Sequence, residues 1–361
     1  MHKALSLLSS ISASVIATSI LICPPAFATE ADGEVAYWGF IDVSGKLAIK
    51  PQFLSVGGFH EGLAAVQISV KGKDDSTNEK WGFIDKSGKM VIEAQFEDVQ
   101  EFSDGLAAAR QDKWGFIDKS GKFVIEPQFE NVGTFNEGLA QAATGHLKWG
   151  FIDRTGAFKI EPNFASTGDF ANNRAAVLIS DGFGSYTFKN GIDTYEVRGG
   201  QWSYIDKSGQ IVIDSLFDGA GLFCQELAPA AVGIKQGMNK PDKWGFINTD
   251  GKLAITPQFN AVHAASENCA AVQYGTWKNI GRAQRSWIAG KWGYITLRGK
   301  RLIAPQFDGA DRFSEGLASV LIKDKWGYIN KDGKMVISPN YCSTGEFHEQ
   351  LAPVILASPA L

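Results

Sequence analysis

The sequence is poor in the residues and motifs that usually announce a chemistry. Its 361 residues include only 4 Cys and 5 His. Cys23, Cys224, Cys269 and Cys342 lack the paired spacing of a zinc or redox motif, so no metal ligand set is assigned. There is no Gly-x-Ser-x-Gly, no His-Glu-x-x-His and no phosphate-binding loop, so no catalytic residue is assigned and no cofactor is expected. No block of Lys and Arg interrupts a formal charge of −4, which argues against nucleic acid as a partner. Beyond the N-terminus no apolar run is long enough for a membrane helix.

The N-terminus does carry such a run. Lys3 precedes the uncharged "ALSLLSSISASVIATSILI", and Ala26-Phe27-Ala28 has the small-x-small form of a cleavage site. Residues 1–28 therefore read as a secretory signal peptide, with the mature domain spanning 29–361 and a secreted or periplasmic location. Ser and Thr within the run argue against an uncleaved anchor, and Leu21-Ile22 before Cys23 against a lipid-attachment cysteine. Removal of Lys3 leaves the mature chain one unit more acidic, with three cysteines. An odd number allows one pair and one thiol, and Cys224 with Cys269 is the candidate disulfide, since both lie in similar turn regions of adjacent repeats.

Glycine and aromatics are plentiful: 40 Gly, 24 Phe, 10 Trp and 8 Tyr. They recur in phase. "KWGFIDKSGK" appears unchanged at Lys80–Lys89 and Lys113–Lys122. The same phrase places Trp38, Trp81, Trp114, Trp149, Trp202, Trp244, Trp292 and Trp326, each followed by Gly except Trp202, which precedes Ser203. A turn glycine follows each (Gly45, Gly88, Gly121, Gly156, Gly209, Gly251, Gly299, Gly333), then an aromatic in a "PQF"-like phrase, a second aromatic and an "EGLAAV"-like phrase. This pattern, "KWGFID-x-x-GK-x-x-I-x-PQF", resembles the WG-repeat family of bacterial β-rich repeats from Trp38 to about Val354. The resemblance implies a repeat architecture and no particular reaction.

Physically, each phrase is a β-hairpin. In "WGFID" the Trp, Phe and Asp fall on one face and the Gly and Ile on the other. A strand apolar on both faces needs cover on both, which neighbouring repeats can supply. Asp opens the turn and Gly closes it. With "LAAV" as a further strand, the chain is expected to be all-β: eight three-stranded meander repeats. The first repeat lacks an "LAAV" strand before its hairpin, and "LAPVILA" at the end lacks a hairpin after it. This favours closure into a β-propeller-like toroid over the alternative, an open β-solenoid or superhelix.

Function is expected in what interrupts the repeat. Insertions fall between the "LAAV" strand and the next "WGFID" strand, at Gln67–Glu79, Leu178–Gly200, Gly233–Asp242 and Gln273–Gly290. Insertions at one point of a repeat emerge on one face, often the binding face. One holds Tyr186, Phe188 and Tyr195 around an Asn-Gly turn. Another holds Trp277, Arg282, Arg285 and Trp287, residue types that anchor recognition sites. The leading expectation is a monomeric, exported, non-enzymatic scaffold that binds a protein or an envelope glycan through these loops. The alternatives are a polysaccharide hydrolase with a carboxylate pair on that face, or a structural spacer. The turn aspartates read as turn caps, not calcium ligands. His60 and His348 hold matching places in the first and last repeats and would meet in a closed ring, but no third metal ligand is evident.

Overall fold

The structure, a computed structural model, describes residues 36–71, 77–145, 148–179, 184–189, 192–197, 201–231, 243–281, 284–288 and 290–356. The signal-peptide segment and the insertion Gly233–Asp242 lie outside them. Every regular element among the described residues is a β-strand. They fall in two compact units, one within Gln128–Gln258 and the other drawn from both sides of it.

The repeating object is an antiparallel sheet of four strands in sequence order. The Trp81 sheet is typical: Ser55–His60, Leu63–Lys71, Thr77–Ile84 and Met90–Phe96. Five more follow around Trp114, Trp149, Trp202, Trp244 and Trp292. The meander thus carries one strand more than the three expected. The segment after "PQF" supplies it, often as two residues only, such as Asp98–Val99.

The last sheet has seven strands, because Met335–Thr344 pairs on one side with Lys325–Asn330 and on the other with Leu351–Leu356. Leu351–Leu356 in turn pairs with Trp38–Asp42 in continuous register, from Trp38↔Ile355 to Asp42↔Leu351. The final strand therefore completes the sheet begun by the first hairpin, as the unequal ends of the repeat pattern led us to expect.

Glycine after Trp has a steric cause. In the Trp81 sheet the partners step from Trp81↔Phe96 to Phe83↔Ile92, so the outer strand bulges against Gly82. A Cβ at Gly82 would lie 2.4 Å from the Ile92 carbonyl oxygen, and one at Gly115 or Gly150 would meet its own outer strand equally closely. The turn glycine has two constraints. Gly88 has φ +83°, and a Cβ there would lie 3.2 Å from Ile49 Cγ2 of the preceding outer strand. Asp85 caps this turn as read from sequence: its Oδ1 accepts from Ser87 N at 2.9 Å and Lys89 N at 3.1 Å. The Ser87 hydroxyl bond is the main reason the Asp85 carboxyl titrates below its usual range.

Packing follows the two-faced strand. Phe83 packs with Phe96, Phe102 and Ile117, toward the following sheet. Ile84 packs with Phe40, Ile49 and Phe53, toward the preceding one. The Phe83 and Phe102 rings meet edge to face at 4.9 Å, a contact repeated at Phe40–Phe59 and Phe151–Phe170. Where Tyr replaces that Phe, its hydroxyl adds a bond: Tyr204 donates to the Gly221 carbonyl and Tyr328 to that of Gly345, each at 2.8 Å. The small second strand, as at Ala107–Ala109, is fully buried.

The "EG" turn also joins neighbours. Glu61 and Gly62 both have positive φ, 53° and 87°, the signature of a type I′ turn. A left-handed Glu is strained by roughly 1–2 kcal/mol. Its carboxylate reaches the next repeat, where Glu61 accepts from Gly105 N at 2.9 Å and pairs with Lys119 at 3.1 Å. Glu349 repeats this with Gly62 N at 2.9 Å and Lys86 at 2.8 Å. Burial opposes ionisation of Glu349, but the Lys86 and Gly62 hydrogen bonds outweigh it and hold its carboxyl below the usual range. A lowered carboxyl stabilises the fold above its unfolded pKa and loses that contribution as pH falls through the folded value. Glu349→Ala is expected to cost about 1 kcal/mol at pH 7. The cost should shrink toward pH 3, as measured by urea midpoints at the two pH values.

Candidate functional site

Two places depart from the bare repeat. The first is the pair of inserted hairpins. Gly184–Lys189 and Ile192–Val197 form a two-stranded sheet, with Tyr186 opposite Tyr195 and Phe188 opposite Asp193. Thr276–Gly281 and Gln284–Ile288 form another, with Trp277 opposite Trp287 and Asn279 opposite Arg285. Each emerges between the second and third strands of its parent sheet, the Trp202 and Trp292 sheets. That is the end of the sheet opposite to the "EG" and "DKSG" turns, because antiparallel connections alternate between ends. The structure therefore pairs Trp277 with Trp287, and Tyr186 with Tyr195, across their ladders. Arg282 lies outside the described residues. The two hairpins belong to different compact units. The insertion Gln67–Glu79 takes another form: it lengthens a hairpin of the Trp81 sheet, with register continuing from Gln67↔Trp81 to Lys71↔Thr77.

The second place is a string of titratable side chains beside the second aromatic of several repeats. His60 and His348 stack, with ring centroids 4.4 Å apart. His60 Nε2 lies 3.1 Å from Glu101 Oε2, and Glu101 Oε1 accepts from Gly58 N at 3.2 Å. His348 Nε2 lies 3.7 Å from Glu346 Oε2. Arg312 holds Glu346 with two bonds, from Nε at 3.0 Å and NH2 at 2.9 Å. Next to it, Asp311 accepts from the Ser319 hydroxyl and faces His263. Burial raises the Asp311 carboxyl and lowers the His263 imidazole, so desolvation pushes both toward their neutral forms.

A smaller polar group sits in the other unit. Gln141 donates to Asp169 Oδ1 at 2.6 Å and accepts from the Thr167 hydroxyl at 3.0 Å, and burial raises the Asp169 carboxyl. Among the described residues no group of three or more His, Cys, Asp or Glu is arranged to hold a metal ion.

The meeting of His60 and His348 follows from their matching places in the repeat. Glu101, Arg312 and Glu346 were not singled out from sequence, although a signal exists. Each stands one residue before the second aromatic (Phe102, Phe313, Phe347), where the first repeat has Gly58. Gln141 and Ser319 likewise replace a small apolar residue of the "LAAV" strand.

The proposed Cys224–Cys269 disulfide is absent. The two cysteines are not at equivalent positions. Cys224 takes the first place of its turn bridge, with Leu227, and Cys269 the second place of its own, with Ser266. Cys269 is buried, its thiol donates to the Ser266 carbonyl at 3.4 Å, and desolvation pushes its pKa up to about 11. No helix among the described residues is long and apolar enough to cross a membrane.

Comparison with solved structures gives distant likenesses. BamB from Moraxella catarrhalis is 10% identical, with 88% of this chain and 91% of that chain covered and a TM-score of 0.44. AztD from Citrobacter koseri is 12% identical, covering 91% and 100%, with a TM-score of 0.42. The β-propeller domain of the trilobed protease from Pyrococcus furiosus is 9% identical, covering 79% and 96%, with a TM-score of 0.44. At TM-scores below 0.5 nothing about this chain is inferred from them. No curated protein matches the chain. The WG containing repeat, in contrast, matches eight times, at residues 38–69, 81–113, 114–145, 149–182, 202–233, 244–275, 292–326 and 326–356. Every match but the first begins where its predecessor ends or at the next repeat Trp, and together they take in each of the sheets just described: the chain belongs to the family built from the WG containing repeat.

Proposed function

We propose that this protein is an exported, non-enzymatic scaffold that binds a protein or an envelope glycan through its inserted hairpins and acts as a monomer. The observation that carries this reading is the placing of the insertions. They interrupt one connection of the repeat only, and two of them form hairpins with aromatic residues opposite one another, Trp277 with Trp287 and Tyr186 with Tyr195. Aromatic residues paired on a short ladder are of the types that stack on sugar rings or on apolar side chains. The core repeats are occupied by packing and by turn capping, which leaves the additions as the variable part. Residues 1–28 supply the export signal.

The test is binding of the mature chain to purified envelope polysaccharide, and to an envelope protein fraction, by co-sedimentation. The double variant Trp277→Ala/Trp287→Ala should keep the far-ultraviolet spectrum and unfolding midpoint of the parent. It should weaken binding by about tenfold or more, the loss expected when aromatic anchors are truncated. Unchanged binding with an intact fold would refute the assignment of this hairpin.

A further inference from the structure

We propose that the stacked His60–His348 pair is an acid-opened clasp on the seam between the first and last repeats. The geometry places it there. His60 ends the strand Ser55–His60, in the sheet that follows the first hairpin. His348 precedes the closing strand and is bound to its first residue in both directions, His348 N to Leu351 O at 3.0 Å and Leu351 N to His348 O at 3.1 Å. Leu351 is in turn the register partner of Asp42 at the end of the first strand. A displacement of His348 therefore acts on the start of the ladder that joins the two ends of the chain.

The pair is sensitive to protons because its neighbours can compensate one positive charge better than two. Glu101 faces His60, and Glu346 faces His348. Glu346 is already engaged by both Arg312 bonds, and Glu349, from the adjacent turn, by Lys86 and Gly62. One positive charge on the pair is met by Glu101, whose Oε2 lies 3.1 Å from His60 Nε2. A second puts like charges on rings whose centroids are 4.4 Å apart. Burial first, and then His60, hold the His348 imidazole below its ordinary value, against the pull of Glu346 and Glu101. In the unfolded chain that imidazole takes its proton near pH 6.5. The unfolded state thus binds more protons below that point, and the stability of the seam falls as pH drops through 6.5 toward the folded value. As pH falls from 7.5 to 5.5 the balance therefore moves toward the open, protonated seam.

Hydrogen–deuterium exchange of the mature chain at pH 7.5 and pH 5.5, corrected for the intrinsic pH dependence, tests this directly. Protection of Trp38–Asp42, Ser55–His60 and Leu351–Leu356 should fall severalfold. Protection of Trp244–Asn248, in the other compact unit, should not change. In the variant His60→Gln/His348→Gln the difference between these groups of strands should vanish. Any acid response due to the buried His263 would remain in that variant and is subtracted. If the double variant does not fold, the single variant His60→Gln, at a half-exposed position, serves instead and should shrink the response. Exchange that rises equally in all strands at pH 5.5, or a seam response unchanged by the substitutions, would overturn the proposal.

Discussion

Gly82→Ala is expected to destabilise the protein by about 3 kcal/mol, the upper range for overpacking a closed site. The added Cβ would lie 2.4 Å from the Ile92 carbonyl oxygen and 2.8 Å from Ala94 N, both backbone atoms of the outer strand. Backbone cannot rotate out of the way as a flexible side chain does. Either Met90–Phe96 shifts, breaking the Phe83↔Ile92 pairing, or Thr77–Ile84 moves with its buried Phe83 and Ile84. Both moves disturb the packing between sheets, so the cost is not confined to one residue. The measurement is the midpoint of chemical denaturation, with the slope checked for two-state behaviour. The Trp202 sheet offers a built-in comparison, because Ser203 holds the equivalent place and is buried. Ser203→Gly should cost clearly less than Gly82→Ala, since it removes atoms instead of forcing one against backbone. Equal effects of the two substitutions would show that the close approach at Gly82 is not what selects glycine.

Deleting residues 351–361 should have a larger effect, about 5 kcal/mol or more, enough to unfold a marginally stable chain at 37 °C. The deletion removes Leu351, Ala352 and Val354 from the core and takes away the ladder partner of Trp38–Asp42. It also uncovers Phe347 and Ile337, which pack with Ala352 and Val354, and leaves unpaired those backbone groups of the first strand that face Leu351–Leu356. The expected readouts are loss of cooperative melting and binding of a dye for exposed apolar surface. A circular permutant separates the pairing from the chain ends. Trp38 and Ile355 face each other across the ladder, so a short linker can join the ends while the chain is opened in the connection between Lys71 and Thr77. That permutant should melt close to the parent. If it failed to fold while the truncated chain did fold, pairing of the last strand with the first would not be what holds the seam.

Much of this architecture is legible in the sequence, because it depends on local chemistry repeated eight times. The Asp-x-Ser-Gly turn specifies its own hydrogen bonds within four residues, and Asp42, Asp85 and Asp118 all cap as their spacing predicts. The two-faced "WGFI" strand demands neighbours on both sides, and Phe83 and Ile84 find them in opposite directions. The fourth strand was not legible. Two residues such as Asp98–Val99 have no periodicity to detect, and they pair only because Ala107–Gln111 presents them with a free edge. The cysteines misled for a related reason. Similar distance from a turn is not the same place in a turn, and the bridges Cys224↔Leu227 and Ser266↔Cys269 assign them different ends.

The candidate sites divide in the same way. The hairpin residues Trp277, Trp287, Tyr186 and Tyr195 stand out as aromatics outside the repeat phase. Their pairing across a ladder is a matter of register, which aromatic content alone does not reveal. The cluster of Glu101, Arg312, Glu346, His60 and His348 is drawn from repeats that are distant in sequence; the repeat phase links residue 60 to residue 348, but it does not mark the other three as their neighbours. By itself the sequence determined the repeat unit, its hairpin, its turns and the one connection where it is interrupted, because each rests on interactions spanning a few residues. The unequal ends and the matching places of the two histidines already favoured a meeting of the first and last repeats; only the tertiary structure decided that Leu351–Leu356 pairs with Trp38–Asp42 in continuous register, that Glu101 and Glu346 flank the stacked histidines, and that a glutamate in a strained turn reaches the next repeat. Those contacts depend on how successive sheets are placed against one another, and that placement is set by the sum of many apolar contacts.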